Sequence, residues 1–411
     1  LPRVAALKIL YLHQYFNTPS MPGGTRSYEM ARRLVAAGHE VNLITSSRKP
    51  CEENGWRTTT EAGITVHWYP VPYSNRMGFM QRIKAFVRFA IAAARKAASI
   101  EADVIFATST PLTIVIPGLY AKWRKKVPMV FEVRDLWPAV PIAIGALRNP
   151  VLKWVSRRLE RYAYANASRI VALAPGMRDE IVATGVPADR VAVIPNGSDL
   201  DIFSGAPGSG APRDAHEWLG DRPLVVFTGT FGLVNGMDYL VRLAAATARI
   251  DPEVRFVAVG EGREFARTME LARELGVLDS NLFLMGKLPK LETAAWVRAA
   301  DMTIALFTGP EIVWRDAVQN KFFDSLAAGT PVANNFPGWQ AKVAAEAGAG
   351  IILSADDAEA AAADLVRRLR DEAWLRQAGE AARTLAVTRF NRDDLADQLE
   401  RLLEDVVGQP G

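Results

Sequence analysis

Short apolar runs alternate with amphipathic stretches along the whole chain, in the rhythm of strand followed by helix. Residues 8–12 (Lys-Ile-Leu-Tyr-Leu) read as a first strand, residues 28–37 as a helix closed by Gly38, and residues 41–44 as the next strand. Further buried strands are predicted at 128–133, 169–174, 191–194, 224–228, 255–259, 282–285 and 302–307. Strands that alternate with helices in this way assemble parallel α/β sheets. Residues 77–96 instead carry Arg82, Lys84, Arg88, Arg95 and Lys96 between apolar positions at helical spacing. Such a basic amphipathic helix either turns its apolar face into the core or lies on a bilayer. The tail, 393–407, repeats leucines at helical spacing and reads as a last helix.

The most informative stretch is 316–332, Asp-Ala-Val-Gln-Asn-Lys-Phe-Phe-Asp-Ser-Leu-Ala-Ala-Gly-Thr-Pro-Val. Two carboxylates, Asp316 and Asp324, flank Asn320-Lys321, and Gly329 and Pro331 stop the helix before a new strand. An acid-bearing helix is expected here. A helix start gathers free N–H groups and positive dipole, and a lysine in its first turn suits a phosphate. Carboxylates nearby suit hydroxyls. Glu311 is a rival for the first acid, with Asp316 preferred on spacing.

Glycine pairs or clusters follow several strands. Gly23-Gly24 precedes the first helix; it is not the dinucleotide fingerprint, because the third glycine is missing, and by itself such a pair is often only a turn. Residues 229–236 (Gly-Thr-Phe-Gly-Leu-Val-Asn-Gly) form a second glycine loop after the strand at 224–228. Strand 128–133 ends at Arg134-Asp135-Leu136-Trp137-Pro138, where polar groups at a strand's carboxyl end meet ligands or only brace a turn. Asp199-Leu200-Asp201 fits an Asp-x-Asp metal pattern but follows a structural turn, and no metal is expected.

At 411 residues the chain exceeds one ordinary core, so two domains of roughly 200 residues each are expected. The Gly-Pro-Ser loop at 205–212 marks the boundary. Cys51 is the sole cysteine, which excludes a disulfide framework or a zinc pattern and favours a reducing compartment. No run reaches the roughly 18 apolar residues of a membrane span, and residues 5–12 read as a strand rather than a signal peptide. Charge is divided: 27 Lys and Arg against 14 Asp and Glu in residues 1–200, then 22 against 31 in residues 201–411. A basic half without interleaved stacking aromatics points away from nucleic acid and toward an anionic membrane surface.

Residues 316–332, with an acid, seven residues, a second acid and an Ala-x-Gly-x-Pro-Val turn, resemble the donor-site signature of retaining glycosyltransferases of family 4, and Pro195-Asn196-Gly197-Ser198-Asp199 resembles the family's turn at the end of its first domain. Arg-Asp-Leu-Trp-Pro is similar to the subset that assembles lipid-linked surface polysaccharides. The resemblance implies a GT-B fold: two Rossmann-like α/β domains facing across a cleft, with a C-terminal helix crossing back. The expected boundaries are 1–203 for the acceptor domain, 204–222 for a linker, 223–390 for the nucleotide-sugar domain and 391–411 for the returning helix.

The resemblance further implies transfer of a sugar, with retention, from a nucleotide diphosphate donor, uridine diphosphate being the commonest carrier, to a polyprenyl-diphosphate-linked saccharide. The nucleotide sugar is a substrate, so no cofactor is expected. Catalytic roles fall to Asp135, Lys321 and Asp316. Donor contacts fall to Gly229, Thr230, Gly232, Asn235, Glu261, Arg263, Lys287, Leu288, Asn320, Lys321 and Asp324, and acceptor contacts to His13, Gly23, Gly24 and Arg134. Most family members clamp the pyrophosphate with an arginine and a lysine in the second glycine loop; here those places hold Thr230 and Asn235. The expected location is cytoplasmic, peripheral at the cytoplasmic face of the inner membrane. A sugar-nucleotide epimerase of the same architecture and a non-catalytic nucleotide-sugar-binding subunit are the alternatives.

Overall fold

The computed structural model describes residues 6–21, 23–47, 55–72, 77–203 and 211–408; Cys51 and positions 205–210 of the predicted boundary loop lie outside these. The chain divides into two compact units. Unit 1 comprises residues 1–18, 23–195 and 393–411, and unit 2 comprises 19–22 and 196–392.

In unit 1 the elements follow as β1 (Lys8–Leu12), α1 (Arg26–Ala36), β2 (Glu40–Ser47), β3 (Arg57–Glu61), β4 (Ile64–Pro70), α2 (Phe79–Ser99), β5 (Val104–Thr108), α3 (Val115–Lys125), β6 (Met129–Val133), α4 (Ala139–Ala143), α5 (Pro150–Asn166), β7 (Arg169–Ala172), α6 (Pro175–Ala183) and β8 (Val191–Val193). The sheet order is β3-β4-β2-β1-β5-β6-β7-β8, parallel throughout except where β3 pairs antiparallel with β4. Its central strands are apolar on both faces, as helices on both sides require, and β5 and β6 are buried from end to end. β6 nonetheless carries Glu132 in the run Met-Val-Phe-Glu-Val.

Unit 2 holds α7 (Leu200–Phe203), α8 (Ala211–Ala215), β9 (Leu224–Thr228), α9 (Met237–Ile250), β10 (Arg255–Val259), α10 (Phe265–Glu274), β11 (Leu282–Met285), α11 (Lys290–Ala299), β12 (Met302–Ala305), α12 (Glu311–Trp314), α13 (Asn320–Ala328), β13 (Val332–Asn334), α14 (Trp339–Glu346), β14 (Gly350–Ile352), α15 (Ala358–Leu369) and α16 (Glu372–Thr388). Its sheet runs β11-β10-β9-β12-β13-β14, all parallel. The strand order reverses between β9 and β12, and in open α/β sheets ligands lie outside the carboxyl ends of the strands at such a point. Val225, Phe227, Phe256, Met302 and Ile304 build the core beneath it.

The last helix, α17 (Arg392–Gly408), belongs almost entirely to unit 1. His39 accepts a bond from the Leu7 backbone N–H at Nδ1, and its Nε2 lies 3.1 Å from Glu400 on that helix. The two ends of the 196–392 segment are neighbours within unit 2: Ser198 pairs with Asn391, the Ser198 N–H donates to the Phe390 carbonyl at 2.7 Å, and Arg392 donates to the Gly197 carbonyl.

Candidate functional site

Helix α13 starts at Asn320, after Gln319 in extended backbone, and ends at Gly329, whose φ of +69° is the left-handed conformation glycine adopts without strain. Phe322, Phe323 and Leu326 face a cluster with Ala305, Val332, Val343 and Phe390, which fixes the helix's rotation. The helix is shorter than the sequence pattern suggests. Asp316 lies outside it, in the turn after α12, because the Val318 carbonyl just ahead of the helix is taken by the Asn196 side chain at 2.7 Å and the Gln319 N–H by Gln340. Asp316 itself is buried and accepts from Arg315 Nε at 2.9 Å, while Glu311 is exposed at the start of α12.

With the apolar face turned inward, Lys321 is carried toward the carboxyl end of β9. Its ammonium lies 3.6 Å from the centroid of the Phe227 ring and has no hydrogen-bond partner among the described residues. Burial lowers its pKa to about 7. A Cβ built on Gly229 would stand 3.2 Å from Lys321 Cε and Nζ, so glycine is what lets the loop approach the lysine.

The neighbouring loops form a continuous ledge. The Gly229 N–H donates to the Val259 carbonyl, the Phe231 N–H to the Glu261 carbonyl and the Gly260 N–H to the Met285 carbonyl, joining the turns after β9, β10 and β11. A Cβ at Gly260 would fall 1.8 Å from the Gly229 carbonyl oxygen. Glu261 pairs with Lys287 at 3.1 Å, and both are exposed. Thr230 and Arg263 are exposed on the same ledge, Gly232 and Asn235 sit together in the first loop, and Leu288 packs against the core cluster that includes Val257 and Trp296. Asn320 is half-buried at the first position of α13.

Asp324, one turn after Lys321, faces an ionic cluster that sequence reading does not anticipate. Lys290 Nζ lies 3.9 Å from Asp324 and 2.8 Å from Asp199, whose carboxylate is wholly buried and also bound by Arg392. Burial pushes the Asp324 carboxyl up to about 6, with Lys290 opposing, Asp199 adding and Arg392 opposing. Asp199 thus serves an ion pair, and Asp201, the other acid of Asp-x-Asp, is exposed on α7.

In unit 1, His13 and Arg134 meet beyond the carboxyl ends of β1 and β6, His13 Nε2 lying 3.4 Å from Arg134 Nη1, and the Arg134 N–H donates to Ser109 Oγ. Asp135 is exposed beside them. Gly23 and Gly24 are exposed; Gly23 has φ +125° and the Gly24 carbonyl accepts from Asn17. Arg26, two residues on, is fully buried. It donates to Glu132 at 2.7 Å and to the carbonyls of Ile194 and Pro195, while Thr108 donates to the other Glu132 oxygen. Burial works to raise the Glu132 carboxyl, yet the charges of Arg26 and Arg134 and the bonds from Arg26 and Thr108 hold it below the ordinary range. A glutamate inside an otherwise apolar strand was the signal for such a partner; which arginine answered it had none.

Two family descriptions match: a glycosyl transferase 4-like domain over residues 23–197 and glycosyl transferases group 1 over residues 222–371. A phosphatidyl-myo-inositol mannosyltransferase of Mycobacterium leprae is 30% identical over 396 residues, covering 94% of each chain. A putative colanic acid biosynthesis glycosyl transferase, WcaI, of Escherichia coli is 23% identical over 287 residues, covering 65% of this chain and 69% of that one. Among solved structures, sucrose-phosphate synthase of Thermosynechococcus elongatus superposes with a TM-score of 0.77 at 19% identity over 97% and 99% of the two chains. Anabaena HepE in complex with UDP gives 0.71 at 16% identity over 97% and 100%. Two α/β units, each built on a mainly parallel sheet and together superposing on these structures, define a GT-B protein. The chain belongs to the family 4 glycosyltransferases.

Proposed function

We propose that this glycosyltransferase moves a sugar, with retention and without a metal, from a uridine diphosphate sugar to a polyprenyl-diphosphate-linked saccharide during surface polysaccharide assembly. The observation that carries the donor half is the Lys321 ammonium, buried, unpartnered and next to Gly229 at the start of α13. A diphosphate there would meet one full charge and the free N–H groups of the helix's first turn. Breaking the anomeric C–O bond leaves negative charge on that diphosphate, so a charge fixed in a water-poor site lowers the barrier directly. Asp324 accepts the ribose hydroxyls and Asp316 the donor sugar's hydroxyls. Thr230, Asn235 and the ledge with Glu261, Arg263 and Lys287 border the nucleotide, with Leu288 beneath the base.

For the acceptor, the Arg134–His13 pair suits an anionic group, and the exposed Asp135 orients the incoming hydroxyl. The likeness to WcaI supports surface polysaccharide as the product class. A peripheral site on an anionic membrane is supported by three adjacent helices of unit 1. α2 packs on α3 and α3 on α5. Trp123 is 70% exposed and Trp154 63%, with Ile91, Tyr120 and Val151 also exposed, among Arg88, Lys125, Lys153 and Arg157. Aromatic and aliphatic side chains interleaved with cations suit a headgroup boundary. No helix among the described residues is long and apolar enough to cross a membrane.

The test is turnover of UDP-sugars by the purified chain with lipid extract as acceptor. Lys321→Ala should lower kcat by about 10²-fold or more, the scale of one lost transition-state charge contact. Unchanged turnover in that variant sinks the assignment. Isomerisation of donor with no acceptor would signal an epimerase, and binding without transfer a non-catalytic subunit.

A further inference from the structure

Asp324 is faced by charged side chains from three other segments, and one of them, Lys290, reaches it. Lys290, the first residue of α11, spans the gap between Asp324 at 3.9 Å and Asp199 at 2.8 Å, with its ammonium 5.6 Å from the centroid of the Phe203 ring. Its side chain is 16% exposed and that of Asp324 17%, so solvent screens the pair little. The charged groups facing Asp324 are Lys290 from α11, Asp199 ahead of α7 and Arg392 at the start of α17; on its own helix Lys321 lies one turn earlier but sits over Phe227. Arg392 is committed to Asp199 and to the Gly197 carbonyl. Lys290 is the cation that reaches both Asp324 and Asp199.

We infer that Lys290 is a positioning residue for donor recognition: it fixes the Asp324 carboxylate in place and keeps it anionic, the form that can accept two hydroxyl hydrogen bonds from a ribose. The inference rests on the reading of Asp324 as the nucleoside's carboxylate. Physically, a buried carboxyl resists ionisation, and a cation within about 4 Å restores it. Asp199 works in the opposite direction on Asp324, and Lys290 and Arg392 offset it, so the four charges act as one unit. Without Lys290, Asp324 would face Asp199 with only the more distant Arg392 to compensate. Its ionisation would move to higher pH, leaving a protonated acid with one acceptor fewer at neutrality. The Arg392–Asp199 pair survives the change, so the cluster keeps a structural anchor.

The experiment is the dissociation constant of UDP between pH 5.5 and 9 for the unaltered chain, Lys290→Met, Lys290→Arg and Asp324→Asn, each expressed as a ratio to the unaltered chain. Ionisation of the nucleotide's own phosphate is common to all four and cancels in the ratio. Lys290→Met should bind about tenfold more weakly near pH 7 and recover toward the unaltered affinity by pH 9, an upward shift of about two pH units in the acid limb. Lys290→Arg should restore the profile. Asp324→Asn should lose affinity increasingly as pH rises, since it lacks a charge only where the native acid has one. Lys290→Gln carries the same expectation should the Met variant not be recovered folded. A Lys290→Met ratio that is flat with pH, alongside the expected Asp324→Asn profile, overturns the role of Lys290 and leaves the nucleoside reading standing. An Asp324→Asn ratio of one at all pH values overturns that reading itself, and the inference with it.

Discussion

The Lys321 ammonium lies against the face of the Phe227 ring, 3.6 Å from its centroid, and that ring is completely buried in the unit 2 core. A ring face attracts a cation but supplies no hydrogen-bond acceptor, so the ammonium is desolvated without being neutralised. With burial lowering its pKa to about 7, Lys321 is mostly neutral at pH 8. A bound diphosphate favours the charged form and should draw a proton back. UDP binding at pH 8 is therefore expected to take up about one proton through Lys321, a contribution that is lost by pH 6 where the group is already charged. Calorimetry in buffers of different ionisation enthalpy reads this directly, and Lys321→Met should abolish it.

A second expectation concerns Arg26 and Glu132, both with fully buried side chains. Removing one partner, as in Arg26→Met or Glu132→Gln, strands the other in the core and should cost about 3–5 kcal/mol. Because the partners act as a unit, Arg26→Met combined with Glu132→Leu should be less destabilised than the sum of the single changes. Denaturant unfolding followed by circular dichroism measures all of these.

Gly260 offers a backbone test. Its Cβ would collide with the Gly229 carbonyl, which cannot rotate away as a flexible side chain does. Gly260→Ala should displace the glycine loop, costing about 1–3 kcal/mol in stability and weakening UDP binding by about tenfold or more through the lost loop geometry. Gly276 is the control: its φ is +70° but nothing lies within 4 Å of its Cβ, so Gly276→Ala should cost only about 1 kcal/mol and leave UDP affinity alone. Equal effects on affinity would show that the ledge is not where the nucleotide rests.

For the basic face of unit 1, cosedimentation with vesicles is the measurement. Binding to vesicles containing anionic lipid should exceed binding to neutral ones and fall as salt rises. Trp123→Ser with Trp154→Ser should reduce it about tenfold or more, the loss of two exposed aromatic anchors. Equal binding to neutral vesicles, or none at all, removes the membrane from the proposal.

Much of unit 2 was legible because its evidence is local. The spacing from Asp316 to Asp324, the stop at Gly329 and the glycine loop at 229–236 each lie within nine consecutive residues. What local pattern could not give is partnership across the chain. Arg26 and Glu132 are 106 residues apart, Arg392 and Asp199 are 193, and nothing at either end names the other. The start of α13 slipped for the same reason: the carbonyl ahead of it is claimed by Asn196, 122 residues earlier, a constraint invisible in a window of twenty residues. Sign of charge carried further than pairing did. The excess of cations in the first 200 residues includes the lysines and arginines of α2, α3 and α5.

The stitching of Ser198 to Asn391, and of Gly197 to Arg392, makes residues 196–392 a cassette whose two ends touch. With its own sheet and core inside that span, the segment can be excised by two cuts or re-circularised through a short linker without stretching the chain. The proposed nucleotide capture can then be assayed in isolation, and a cassette from a relative can be spliced in at the same two seams.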